Sequence, residues 1–263
     1  MSYLNYKEIG EGPVVVIAHG LLGMLDNWRT FSKKLAEEGY RVISIDQRNH
    51  GKSFHSEDFD YELLAEDLNQ FVDEMEIDKI HTIGHSMGGK MVMRFLELYP
   101  ERVDKTIVVD ISPSGSIGSH SNIFESLLSV DITQVQSRKE VERQLVSKGL
   151  ELGVVYFLMK NLRRDPATGG YAWKANISAL WDNYQHILAA TTPASPIEKE
   201  VLFLAGSRSN YITAEDIDLI GKYYPNHRYE VIPDAGHWVH ADNLDGLLSV
   251  VLDCLGKEAS YKL

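Results

Sequence analysis

Residues 84–89 read Gly84-His85-Ser86-Met87-Gly88-Gly89 and stand between a strand-like stretch, His81 to His85, and a helical one, Met87 to Tyr99, that Pro100 stops. A serine with glycines two positions to either side, placed between a strand and a helix, implies a very tight turn. The glycines let neighbouring backbone approach without a clash, and the hydroxyl then projects at the carboxyl edge of the sheet. The helix start behind it offers unpaired N–H groups and a positive dipole end to a developing negative charge. Ser86 is therefore the candidate nucleophile. The competing reading is a glycine-rich turn with a capping serine.

Working outward, strand and helix alternate. Val14 to Ala18 is a continuous, mostly β-branched run, the pattern of a strand buried on both faces. Trp28, Phe31 and Leu35 recur at helical spacing before Gly39, a helix-ending glycine. Arg41 to Asp46 reads as a strand, the stripe Tyr61 to Met75 as a helix, and Thr106 to Asp110 as another strand. Between Ser112 and Pro196 helical stretches continue but no buried strand is expected. They include a helix opened by a Ser137–Glu140 capping box, an apolar one over Glu151 to Leu162, and one more over Ile177 to Tyr184, with a turn at Arg163 to Tyr171. Alternation then resumes with strands Val201–Ala205 and Arg228–Ile232 and helices Ala214–Tyr224 and Leu244–Leu255. The fold class is α/β: a mostly parallel sheet flanked by helices, with residues 1–111 and 197–263 as core and 112–196 as an inserted helical cap.

A serine on such a turn needs a base, an acid and an oxyanion site. His19-Gly20-Leu21-Leu22-Gly23 follows the first buried strand at the same sheet edge, so the Leu21 N–H pairs with that of Met87 as a two-donor oxyanion hole, with Leu22 as the alternative donor. His237, on the small-residue turn Asp234-Ala235-Gly236-His237 after the last strand, is the candidate base, and His240 is its rival. An acid after the next-to-last strand would stand in Gly206-Ser207-Arg208-Ser209, where the residue is serine. Asp216 reads as a helix-capping residue and Asp234 as a turn residue. Asp110, ending an apolar strand at the active edge, is chosen; the chain order Ser86, Asp110, His237 is the order of this type of site.

Composition narrows the partners. The 263 residues carry 26 basic and 38 acidic side chains, a net charge of −12, which repels phosphate backbones and anionic lipid, so neither nucleic acid nor membrane is expected as a partner. Cys254 is the single cysteine, which excludes a disulfide framework and a thiolate-rich metal site; no metal site is expected. Met1 to Gly12 shows no signal peptide, and no apolar run reaches the ~20 residues of a membrane span, so a cytoplasmic protein is expected. Gly51-Lys52-Ser53 imitates the end of a phosphate-binding loop, but Asp46 stands where that motif demands glycine; Asp46 to Ser53 reads as a turn pinned by Asp46–Arg48 contacts.

These stretches, with Asp26-Asn27-Trp28, Asp46 to Ser53, Val109 to Pro113, Ser209 to Ile212 and Gly236 to Ala241, resemble the α/β-hydrolase fold family, and within it small bacterial carboxylesterases of the YbfF type. The resemblance covers nearly the whole chain. It implies an acid after the earlier strand, in agreement with Asp110, and a serine at the vacated position, so that Ser209 assists the histidine by hydrogen bonding. The expected activity is hydrolysis of small to medium acyl esters or thioesters through an acyl-enzyme, with no cofactor. Carbon–carbon bond hydrolysis or a lyase reaction on the same triad, and a ligand receptor with vestigial hydrolase activity, are the alternatives. The insertion is expected as a lid whose aromatic residues build an apolar pocket. The pocket residues named are Leu22, Phe124, Tyr156, Trp181 and Trp238, with Phe157, Trp173 and Tyr184 as further cap aromatics. A monomer or weak homodimer acting on a small-molecule ester is the expected form.

Overall fold

A computed structural model describes residues 4–115 and 120–256. The first half runs β1 (Tyr6–Ile9), β2 (Val14–Ala18), α1 (Arg29–Glu37), β3 (Arg41–Ile45), α2 (Tyr61–Glu74), β4 (Ile80–His85), α3 (Met87–Leu98) and β5 (Val103–Val109). The stretch expected as a cap, and termed the cap for that reason, carries α4 (Ser121–Leu128), α5 (Arg138–Ser147), α6 (Leu152–Leu158), β6 (Leu162–Arg164), β7 (Tyr171–Trp173), α7 (Ile177–Asp182) and α8 (Tyr184–Leu188). The core then closes with β8 (Val201–Gly206), α9 (Ala214–Tyr223), β9 (Arg228–Ile232), α10 (Val239–Asp242) and α11 (Leu244–Cys254).

Seven strands form one sheet in the order β1-β3-β2-β4-β5-β8-β9. Every pairing is parallel except β1 on β3. In β2 the side chains alternate between two apolar layers: Val15 and Ile17 face the layer of Trp28, Leu35 and Val251, whereas Val16 and Ala18 face that of Leu68, Phe95 and Phe203. Both faces are thus covered, as a buried parallel sheet requires. The strand order reverses at β2, whose neighbours β3 and β4 lie on opposite sides, and ligands bind outside the carboxyl ends of strands at such a switch point. The loop after β2 and the turn after β4 meet there.

Several elements differ from expectation. Strand β1 escapes a pattern reading because three of its four residues are exposed at the sheet edge. The cap is not strand-free: β6 and β7 form an antiparallel hairpin, Leu162 opposite Trp173, across a turn in which Gly169 N–H donates to Asp165 C=O. Three-residue strands are too short to show a two-residue period. The helix expected over Glu151 to Leu162 ends at Leu158 and tightens into a 3-10 turn at Met159–Asn161. The stripe from Ile177 to Tyr184 breaks into two helices at Asn183, whose amide donates to Glu57 C=O and Ala179 C=O. Ser137 caps Glu140 N–H as expected, but the Glu140 carboxylate reaches Gln136 N–H rather than returning to Ser137. The contact between Asp46 and Arg48 is absent among the described residues. Arg48 pairs with Asp67 at 2.6 Å, while Asp46 accepts from Leu25 N, Lys52 N and Asn5 Nδ2 at 2.7–2.9 Å.

Candidate active site

Ser86 occupies the junction between β4 and α3 with φ 53° and ψ −119°, a conformation that side-chain-bearing residues rarely adopt. Its neighbours make that turn feasible. A Cβ at Gly84 would fall 2.2 Å from Gly88 O, and one at Gly88 would fall 2.4 Å from Ala18 O. Only glycine lets α3 start this close to two strands. The turn is tied by Ser86 N–H to Val109 C=O at 3.0 Å. No hydrogen bond engages Ser86 Oγ among the described residues, which leaves the hydroxyl facing the cavities described below.

Asp110 follows β5, also at positive φ (55°), and is wholly buried. Its N–H donates to Leu204 C=O at 2.7 Å, which fixes it against β8. Oδ1 accepts from Gly206 N–H at 3.0 Å. Oδ2 accepts from Ser209 Oγ at 2.5 Å and from His237 Nδ1 at 2.7 Å. Ser209 therefore contacts the carboxylate and not the imidazole, a correction to the role inferred from resemblance: the hydroxyl lies on the acid's side of the pair. The His237 ring is stacked on Tyr211, with centroids 3.7 Å apart and planes 12° from parallel. His85 donates through Nε2 to His237 C=O at 2.8 Å. Burial holds the His85 imidazole well below its ordinary pKa, so it serves as a neutral donor.

The loop after β2 is braced by two more neutral histidines. His19 donates from Nδ1 to Gly20 C=O at 2.8 Å and accepts Gln47 N–H at Nε2; burial brings its pKa down to about 4. His50 donates from Nδ1 to Arg48 C=O and accepts Leu22 N–H at Nε2 at 3.1 Å; burial, chiefly, brings its pKa down to about 3. Leu22 N–H is thereby occupied. The N–H groups of Leu21 and Met87 carry no hydrogen bond among the described residues, and both residues line the same cavity as Ser86. The rivals have other tasks. His240 is stacked on Trp28 at 4.4 Å, and burial brings its pKa down to about 4. Asp216 caps α9 through Thr213 N–H and accepts from Ser112 Oγ at 2.8 Å. Asp234, at φ 56°, occupies a turn.

Comparison with known proteins agrees with this architecture. Residues 13–244 match the alpha/beta hydrolase fold family. The chain belongs to the α/β-hydrolase fold family. It is 34% identical to Esterase YbfF of Escherichia coli (strain K12), covering 90% of this chain and 91% of that protein. It is 36% identical to the sn-1-specific diacylglycerol lipase ABHD11 of Danio rerio, covering 95% of this chain and 81% of that one. Among solved structures, a marine microorganism esterase superposes with a TM-score of 0.92 at 37% identity, covering 96% of this chain and 99% of that chain. This kinship supports a carboxylic ester hydrolase.

Two cavities of the hydrolase meet at Ser86. The first, about 390 Å³, runs between the loop after β2 and the cap; its apolar wall includes Leu22, Ile123, Val154, Phe157, Leu158 and Trp238, and His237 opens into it. The second, about 440 Å³, runs toward Lys90, Ser112, Ser114, Asn210, Thr213 and Asp216. Of the pocket residues expected, Leu22 and Trp238 line the first cavity, and Phe157 stacks on Trp238 with centroids 5.4 Å apart. Phe124 does not line either one: it is fully buried against Trp181 and Tyr184, so Phe124 and Trp181 pack the cap internally. Tyr156 is 56% exposed and lines neither cavity. Helical spacing marks an apolar face but cannot distinguish the face over a cavity from the face over a neighbouring helix. Ile123, Val154 and Leu158 carried no separate signal for the same reason, and Tyr211 none beyond its place in a shared stretch. No helix among the described residues is long and apolar enough to cross a membrane.

Proposed function

We propose that the chain is a serine carboxylesterase in which Ser86, His237 and Asp110 act as nucleophile, base and acid. The hydrogen bond from His237 Nδ1 to the buried Asp110 carboxylate, beside the Ser86 turn, carries this reading. That bond leaves Nε2 as the basic nitrogen, as proton abstraction from a serine requires. His237 takes the Ser86 proton as Oγ attacks the ester carbonyl, and the Leu21 and Met87 N–H groups receive the oxyanion. The imidazolium returns its proton to the departing alcohol, and water, activated by the same nitrogen, releases the acid from the serine.

The cavity linings support a division of the substrate. The acyl chain lies against Val154, Phe157, Leu158 and Trp238, and the alcohol points toward the hydroxyls and carboxylate of Ser112, Ser114, Thr213 and Asp216. An acyl-chain-length series of p-nitrophenyl esters, run beside thioesters, tests the reading. Wild-type protein is expected to turn over short and medium chains, and Ser86→Ala to lose on the order of 10⁴-fold or more in kcat. Full activity in Ser86→Ala would overturn it.

A further inference from the structure

The turn carrying the Leu21 N–H is held from an unexpected place. Gly23 N–H closes it on Gly20 C=O at 2.9 Å, and Leu22, its third residue, has φ 58°, where glycine or asparagine is the usual occupant. A leucine stays there only if its surroundings hold it. Its N–H is held by His50, from the core. Its C=O is held by Asn161 Nδ2 at 2.7 Å, from the cap and 139 residues away in the chain.

Asn161 is itself fixed. It ends the 3-10 turn after α6, its C=O accepts Lys174 N–H at 2.7 Å from the β7 side of the hairpin, and Arg138 of α5 binds the flanking carbonyls of Met159 and Leu162. Its side chain is buried, and Oδ1 has no partner among the described residues. The Asn161 side chain thus reaches from a braced turn of the cap to the backbone of the loop that carries the Leu21 N–H.

We propose that Asn161 is a positioning residue: its amide keeps Leu22, and with it the Leu21 N–H, in the shape that receives the oxyanion, and does so only while the cap is seated on the core. This rests on the esterase reading above. The oxyanion site is then a shared property of core and cap, with one donor on α3 and the other on a loop clamped between His50 and Asn161.

The test is a set of kinetic and inhibitor measurements on wild type, Asn161→Ala and Asn161→Leu. The leucine keeps the volume and has no donor for Leu22 C=O, and it carries the test should the alanine variant fail to fold. A trifluoromethyl ketone, which adds to the serine and places an oxyanion in the hole, is compared with the matching methyl ketone, which does not add appreciably. Expected is a loss of about 10- to 100-fold in kcat and a parallel loss in trifluoromethyl ketone affinity, with KM and methyl ketone affinity changed by less than about threefold. A purely structural glue between cap and core would instead raise KM or lower melting temperature while leaving the ratio of the two ketone affinities as in wild type; that outcome, or unchanged kinetics, overturns the inference. Failure of the esterase reading is separately visible, because wild-type protein would then show no Ser86-dependent turnover at all.

Discussion

A carboxylate with no solvent exposure needs its lone pairs met by donors, and Asp110 has three: Gly206 N–H, Ser209 Oγ and His237 Nδ1. Asp216 has a different set, helix N–H and serine hydroxyls, and lies at the mouth of the α9 helix. The two carboxylates should therefore respond differently to the same change. Asp110→Asn presents an amide to His237 and favours the wrong tautomer, so kcat should fall by about 10³- to 10⁴-fold. Asp216→Asn should cost about 1 kcal/mol of stability through a weakened cap and leave kcat within about tenfold. Steady-state kinetics and melting curves on the pair decide this; a nearly silent Asp110→Asn would move the acid elsewhere. The pairing of Asp110 with His237 was legible because serine stands at position 209 and a carboxylate ends an apolar strand. The contact between Ser209 and that carboxylate was not, since sequence does not say on which side of an ion pair a hydroxyl lies.

The turn between β4 and α3 is rigid for reasons that glycine substitutions expose. A Cβ at Gly88 would meet the carbonyl oxygens of Ala18 and His19 at 2.4 and 2.6 Å, and backbone cannot step aside as a side chain can. Gly88→Ala should destabilise the protein by about 3 kcal/mol or more, or prevent folding. Gly149, by contrast, has nothing within 4 Å and only a positive φ of 84°, so Gly149→Ala should cost about 1 kcal/mol. Urea unfolding of both variants measures the gap, and similar losses would contradict this packing. Core elements were readable for the same physical reason: β2 and β8 are buried on both faces and show it as continuous apolar runs. The edge strand β1, exposed at three of its four positions, and the three-residue strands of the cap hairpin have no such signature. Cap helices were readable as helices, but Phe124 and Trp181 could not be sorted from Phe157 without knowing what each face covers.

Across the whole molecule, the site rests on imidazoles kept neutral by burial. His19 and His240 have pKa values brought down to about 4, and His50 to about 3. In the unfolded chain each takes a proton near the ordinary value of 6.5, so between that pH and the folded value the unfolded state binds more protons. Stability is therefore full above about pH 6.5 and falls as pH drops toward 4, by roughly 1.4 kcal/mol per pH unit for each such group. Urea-derived stabilities at about pH 7, 6 and 5 should decline together. A flat profile over that range would show that these rings are not held neutral. The net charge of −12 argued against nucleic-acid partners but could not reveal this cluster, which the loops after β2 and β3 and helix α10 bring together.

If Ser86 is the nucleophile, a reagent that phosphonylates activated serines should capture it covalently. Wild-type protein is treated with a fluorophosphonate, its intact mass is measured, and the adduct is mapped by peptide digestion. A single phosphonyl group on Ser86, absent from Ser86→Ala and formed far more slowly in His237→Ala, is the predicted result. No adduct on the wild type, or an adduct on another residue that persists in Ser86→Ala, would contradict it.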